Sequence, residues 1–190
     1  MNEIKQQNLI ELFMQINQQV NLSAIRDYEW IKTKHIKDSL QIENLIELKN
    51  KRNILDLGTG WWFPLLPLSI EYPKCNFVWI DWRKKKINAI NTIIKELKIE
   101  NAKWIRQRAE NHKKSYDLIT ARAVWHVSKI VPLCCSLIKR NWYILLYKQN
   151  NKEEYEDLLK ICNKKSLEII KSYNYKLFEN DIQRIIYLLK

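Results

Sequence analysis

Ile54-Leu55-Asp56-Leu57-Gly58-Thr59-Gly60 is the stretch whose reading decides the fold. An apolar run ends in an acidic residue and a glycine turn, and Phe63-Pro64 then opens an apolar helical pattern, so the segment reads as a buried strand feeding a helix. Glycines at such a junction let backbone N–H groups face a ligand, in the crevice where open α/β sheets hold their cofactors. Gly58 and Gly60 are therefore candidate cofactor-binding residues.

Outward from this turn, short apolar runs alternate with helical stretches. Strands are expected at Ile54–Leu57, Asn76–Asp81, Ala102–Arg106, Tyr116–Ala121 and Tyr143–Tyr147, with helices at Phe63–Glu71, Arg83–Leu97 and Val127–Lys139. This alternation implies an α/β fold with a mainly parallel sheet and helices on both faces. A helix at Lys152–Lys164 and strands at Ser166–Tyr175 and Gln183–Leu189 close the sheet with a hairpin. Towards the N-terminus, Ile4, Leu9, Leu12, Phe13, Ile16 and Val20 recur at helical spacing, and a second helical region runs from about Asp27 to Leu48, broken near Lys37–Ser39. Residues 1–50 read as a helical extension packed on a core of residues 51–190, the whole forming one structural domain.

Lys and Arg total 33 against 21 Asp and Glu, a formal charge of +12, which favours a polyanionic partner, nucleic acid first, through counterion release. The abundance of Lys, Asn and Ile is also what an AT-rich genome produces. No apolar run reaches the roughly 18 residues that cross a bilayer, and the start lacks a secretory layout, so no membrane partner and a cytoplasmic location are expected. Cys75, Cys134, Cys135 and Cys162 form no C-x-x-C pair and read as reduced structural thiols.

Only 2 Gly occur where average usage of about 7% gives roughly 13, while there are 8 Trp. Trp61 and Trp62 follow the glycine turn, where bulk blocks close approach of backbone to ligand, and Trp142 follows Asn141 where Asn-Gly is the favoured turn pair. Some or all of Trp30, Trp61, Trp62, Trp79, Trp82, Trp104, Trp125 and Trp142 are read as UGA codons that the source organism translates as Gly. A divergent, Trp-rich protein is the alternative.

Asn76–Asp81 is a second strand ending in an acid, where Asp81 can accept both ribose hydroxyl protons of a nucleoside or, alternatively, cap the following helix. A dinucleotide dehydrogenase shows similar acid spacing, but no G-x-G-x-x-G is present, and Asp56 suits an ammonium such as that of S-adenosylmethionine.

Taken in order, several segments carry a resemblance. They are Asn21-Leu22-Ser23-Ala24-Ile25-Arg26, Lys34-His35-Ile36-Lys37-Asp38-Ser39-Leu40, Asp56-Leu57-Gly58-Thr59-Gly60 with Phe63-Pro64, Asp81 with Arg83-Lys84-Lys85-Lys86, Arg108-Ala109-Glu110 and Thr120-Ala121-Arg122-Ala123. From Asn21 to Lys148 the chain resembles the small-subunit rRNA guanine-N7 methyltransferases called RsmG or GidB. The resemblance implies a class I, Rossmann-like methyltransferase sheet, S-adenosylmethionine as cofactor, and 16S rRNA or the small ribosomal subunit as partner. It implies that Gly58 and Phe63 line the cofactor site, that Ala109 and Glu110 lie beside the adenine, and that Arg122 faces the cofactor or the guanine. The family pattern is glycine-rich at Trp61, Trp62 or Leu65, and here this chain departs from it.

Guanine N7 already offers a lone pair, so no general base and no metal are expected, and alignment supplies most of the acceleration. His112 and His126 read as surface or turn residues, His35 as a possible RNA contact, and the run Arg83–Lys86 as either a phosphate contact or a solvated helix face. The protein is expected to be a monomer. Two rivals stand beside this reading: a methyltransferase of the same fold acting on a small molecule or protein, and a degenerate RNA-binding protein without cofactor.

Overall fold

The computed structural model describes residues 1, 3–21, 23–48, 52–58, 63–81, 84–122 and 125–190. Gly60, Trp61, Trp62, Trp82 and Arg83 lie outside the described residues. The strands are β1 (Asn53–Leu57), β2 (Asn76–Asp81), β3 (Ala102–Arg106), β4 (Tyr116–Arg122), β5 (Ile138–Gln149), β6 (Ile169–Tyr175) and β7 (Arg184–Leu189). They form one seven-stranded sheet in the order β3-β2-β1-β4-β5-β7-β6. β3 to β5 pair in parallel around β1, and β7 pairs antiparallel with both β5 and β6, as the expected closing hairpin requires.

The helices are α1 (Glu3–Val20), α2 (Tyr28–Ile31), α3 (Asp38–Leu40), α4 (Leu65–Glu71), α5 (Lys84–Glu96), α6 (Val127–Leu137) and α7 (Lys152–Lys165). The strand order reverses between β1 and β4. Right-handed crossovers therefore put α4 and α5 on one face and α6 on the other. Alternation along β1 follows: Ile54 joins a core cluster with Leu66 of α4 and Ile90 of α5, while Leu55 and Leu57 join one with Ile130 of α6 and Leu158 of α7. Leu9, Ile10 and Phe13 of α1, with Ile31, Ile36 and Ile42, belong to the first of these clusters. The N-terminal helices thus bury their apolar face in the core that β1 and β2 build.

Several expected boundaries move, each for a local reason. The helix expected from Phe63 starts at Leu65, because Pro64 has no N–H to donate and serves instead as the cap whose carbonyl accepts from Leu68 N at 3.2 Å. The strand expected from Ser166 starts at Ile169, since Ser166 (φ 53°) takes the left-handed conformation that ends α7. The helix expected to reach Lys139 stops at Leu137, where Lys139 Nζ turns to Asp117 Oδ1 at 2.7 Å. β5 consequently begins at Ile138 and passes through an irregularity holding Asn141, at φ 64°, before regular pairing starts at Tyr143 with Leu118.

No break occurs at Lys37–Ser39. Backbone winding instead widens over Lys32–Lys37, a π-helical turn between α2 and α3, and tightens to a 3-10 turn at Gln41–Asn44. π-helical turns are rare, and the 3-10 turn is a common way for a helical stretch to end.

Candidate functional site

The carboxyl ends of β1, β2 and β4, with the turn after β3, meet on one edge of the sheet, at the point where strand order reverses. There the structure brings together Gly58 after β1, Asp81 at the end of β2, Ala109 and Glu110 in the 3-10 turn Ala109–Asn111, and Arg122 at the end of β4. Gly58 has φ 72°, a conformation that glycine enters without the steric cost of a Cβ. Asp81 is 9% exposed, and its carbonyl accepts from Gln107 N at 3.2 Å, which ties the turn after β3 to the end of β2. Glu110 is exposed. Asp56 is buried and accepts from the Thr120 hydroxyl at 2.7 Å, so one of its oxygens locks β1 to β4.

Phe63 is placed differently from a lining residue: it is 1% exposed, its ring stacked 4.5 Å from His35 and edge-on to Phe13 at 5.4 Å. Its side chain anchors the segment after the glycine turn into the core. His35, 7% exposed beneath that ring, is not an RNA contact. Burial, with the Arg122 guanidinium adding to it, drives the His35 ring from its usual 6.5 down to about 3, so it is neutral.

A stability consequence follows. An unfolded His35 takes its proton near 6.5 and the folded one near 3, so between these values the unfolded chain holds the extra proton. Stability contributed by the neutral ring is complete above about pH 6.5 and falls as pH drops towards 3, by about 1.4 kcal/mol per pH unit. His35→Gln is expected to flatten urea-unfolding stability between pH 6.5 and pH 5 by that slope; an unaltered slope overturns the assignment.

His112 takes the turn position expected of it, closing the 3-10 turn Ala109–Asn111, but its side chain is buried rather than at the surface. Tyr116 Oη lies 2.8 Å from its Nε2, and Gln107 Oε1 lies 3.2 Å from its Nδ1. His126 does take a turn position, capping α6 by accepting from Ser128 N. All four cysteines are free thiols, and burial pushes each thiol up from its usual range. Among the described residues no group of His, Cys, Asp and Glu is arranged to hold a metal, and no helix is long and apolar enough to cross a membrane.

Beside the glycine turn lies a feature that sequence reading left without a role. Asp38, 1% exposed, receives Arg122 Nε at 2.7 Å, Arg184 Nη1 at 3.5 Å and the Tyr175 hydroxyl at 2.5 Å. Arg184 continues to Asp181 at 3.7 Å, Asp181 to Lys34 Nζ at 3.7 Å, and the Lys34 carbonyl, within the π-helical turn, accepts from Arg122 Nη2 at 2.5 Å. Arg122, Asp38, Arg184, Asp181 and Lys34 thus close a ring of charged contacts that joins β4, the N-terminal helices and the segment before β7. A cavity of about 250 Å³ opens against it, lined among others by Asp38, Arg122, Tyr147, Tyr175 and Arg184. Tyr147 donates to the Ser39 carbonyl at 2.7 Å, and burial keeps both tyrosines protonated and donating. The signal in the sequence was the Lys34–Leu40 segment itself; its partners Tyr175 and Arg184 stand more than a hundred residues away and no local pattern marks them.

Comparison with known proteins bears on the fold and the family. Among solved structures, ribosomal protein L11 methylase from Lactobacillus delbrueckii superposes with a TM-score of 0.64 at 12% identity, over 86% of this chain and 79% of that one. A SAM dependent methyltransferase from Aquifex aeolicus gives 0.64 at 15% identity over 84% and 92%. These share the fold. Ribosomal RNA small subunit methyltransferase G of Lysinibacillus sphaericus is 30% identical over 185 residues, covering 94% of this chain and 78% of that protein. The namesake of Oceanobacillus iheyensis is 35% identical over 147 residues, 74% and 62% of the two chains. The family model described as rRNA small subunit methyltransferase G matches residues 2–188, and the chain belongs to that family.

Proposed function

We propose that this protein methylates N7 of a guanine in 16S rRNA with S-adenosylmethionine as methyl donor. The observation that carries the reading is the family match over residues 2–188, joined to a sheet edge whose first turn, at Gly58, is held in a left-handed conformation. The residues fit the cofactor. Gly58 puts no Cβ into the crevice, and Asp81 stands at the neighbouring strand end, with a carboxylate of the kind that accepts from ribose hydroxyls. Gly58, Gly60, Asp81, Ala109 and Glu110 are the groups that would hold it, with Phe63 anchoring the turn from within the core and Arg122 facing the cofactor or the guanine. When bound, S-adenosylmethionine supplies an electrophilic methyl on a sulfonium.

The chain's own contribution is placement. N7 needs no deprotonation before it attacks, so no side chain is assigned as base, and the buried neutral His35 and the hydrogen-bonded His112 fit that assignment. Fixing the acceptor against the crevice is the work of Arg122, whose guanidinium is locked at Nε and Nη2. Residues 1–50 form the extension that carries Asp38 and Lys34 to the core of residues 51–190, within one structural domain. We assign the protein to the cytoplasm, as an RNA-binding monomer. The test is transfer of labelled methyl from S-adenosylmethionine to 16S rRNA lacking the modification, beside calorimetry with the cofactor alone. Binding without transfer to RNA leaves a methyltransferase with another acceptor; no binding leaves an RNA-binding protein without cofactor.

Recoding of UGA as Gly belongs to the same proposal, and the surroundings of some described tryptophans bear on it. Trp79 is fully buried in β2, where a glycine leaves a large cavity, and Trp104 Nε1 donates to Asn91 Oδ1 at 2.5 Å. Trp142 instead follows Asn141, already left-handed as in an Asn-Gly turn. We assign the recoding to Trp142 on that ground and to Trp61 and Trp62 on their place after the glycine turn, and keep as tryptophan Trp30, whose ring meets Phe178 at 5.4 Å and Lys34 Nζ at 4.3 Å. The intact mass of the protein isolated from its natural source is expected to be lower by three indole-bearing exchanges; a mass matching 8 Trp ends the idea.

A further inference from the structure

The geometry points to an aromatic platform, Trp30 with Phe178, on which an unpaired base of the RNA substrate stacks while Lys34 faces its phosphate backbone. This rests on the reading of RNA as acceptor and names how that RNA is held. Trp30 on α2 is 49% exposed and Phe178, in the segment between β6 and β7, is 36% exposed, yet their rings lie 5.4 Å apart. Two large exposed rings brought together from opposite ends of the chain shield each other only in part, and leave flat apolar surface to solvent. Lys34 Nζ sits 4.3 Å from the Trp30 ring centroid and 5.6 Å from that of Phe178.

Aromatic faces beside a cation are what a single-stranded nucleic acid requires, since every base has a π face and every linkage a negative charge. The charge also favours a polyanion: the ring beneath the platform holds Arg122, Arg184 and Lys34 against Asp38 and Asp181, three cations to two anions, within a chain of net charge +12. Position supports the same occupant. Lys34 touches both aromatics with its ammonium and Arg122 with its carbonyl, so one residue fixes the platform relative to the end of β4. A nucleotide flanking the modified guanine stacks there.

The experiment measures binding of a fluorescent single-stranded RNA by the full-length protein, together with methyl-transfer kinetics. Phe178→Ala and Trp30→Ala are each expected to weaken RNA binding and raise KM for RNA roughly 5- to 100-fold, with kcat and cofactor affinity unchanged. Phe178→Tyr and Trp30→Phe keep a ring and are expected to restore affinity. Lys34→Gln is expected to lower the salt dependence of binding by about one released counterion, which the aromatic variants leave alone. Unchanged affinity in both alanine variants overturns the proposal, and so does equal loss in the ring-preserving ones, which assigns the rings to packing. Absence of methyl transfer by the unaltered protein, with the alanine variants still weakened for RNA, defeats the enzymatic reading and leaves the platform standing.

Discussion

Gly58→Val is expected to lower S-adenosylmethionine affinity at least about 100-fold, measured by calorimetry, while circular dichroism shows the sheet intact. Two effects act together. The backbone at φ 72° is about 1–2 kcal/mol worse for a residue with a Cβ, and valine's branching adds to that. Relief of that strain moves the turn, and a turn that does not move puts two methyl groups into the crevice proposed for the cofactor. Asp81→Asn provides the companion measurement: the side chain keeps its shape but loses the charge that strengthens hydrogen bonds from ribose hydroxyls. Hydrogen bonds to a charged group are worth about 1.5–3 kcal/mol, so a loss of roughly 10- to 100-fold is expected. Wild-type affinity in both variants removes the crevice at β1 and β2 from the cofactor's path and with it the enzymatic reading.

What sequence reading reached, and where it stopped, follows from the range of the interactions involved. β1 and β2 were legible because each is a short apolar run with an acid or glycine at its carboxyl end, β4 as a short apolar run ahead of a helical pattern, and the hairpin of β6 and β7 because turn residues separate two strand-like runs. Gly58 declared itself by residue type, since few other residues tolerate the conformation it adopts. The ends of elements shifted wherever one side chain found a distant partner: Lys139 leaves the helical pattern for Asp117, which in turn accepts from Asn53 N at the start of β1. The π-helical winding of Lys32–Lys37 had no local signature, because its apolar spacing is that of an ordinary helix; Ile31, His35 and Ile36 are buried there as they would be in one. Phe63 shows the same limit from the other side. Its place in the motif marked it for the site, but an aromatic ring next to Phe13 and His35 gains more from burial than from lining a wet crevice.

Asp38→Ala is the second substitution expected to act strongly, and its effect separates stability from chemistry. The carboxylate is buried and neutralises Arg122 and Arg184, so its removal leaves the partly desolvated Arg122 guanidinium without its carboxylate and Arg184 with Asp181 alone. Breaking such a contact costs about 3–5 kcal/mol, a large share of the roughly 5–15 kcal/mol that holds a domain together. The Tyr175 hydroxyl loses its acceptor at the same time, which loosens β6 against the N-terminal helices. Unfolding by urea is expected to show this loss, and Asp38→Asn a smaller one because its oxygen still accepts. Replacing both partners, Asp38→Leu with Arg122→Met, exchanges the ion pair for apolar volume and is expected to recover much of the stability, since a buried pair is seldom better than well-packed hydrocarbon. Methyl transfer is not expected to return with it. If Arg122 serves only to hold the N-terminal helices, the repaired protein works again; if its guanidinium orients the acceptor, kcat stays low in a protein as stable as the original, and that divergence is the result that assigns Arg122 to the reaction.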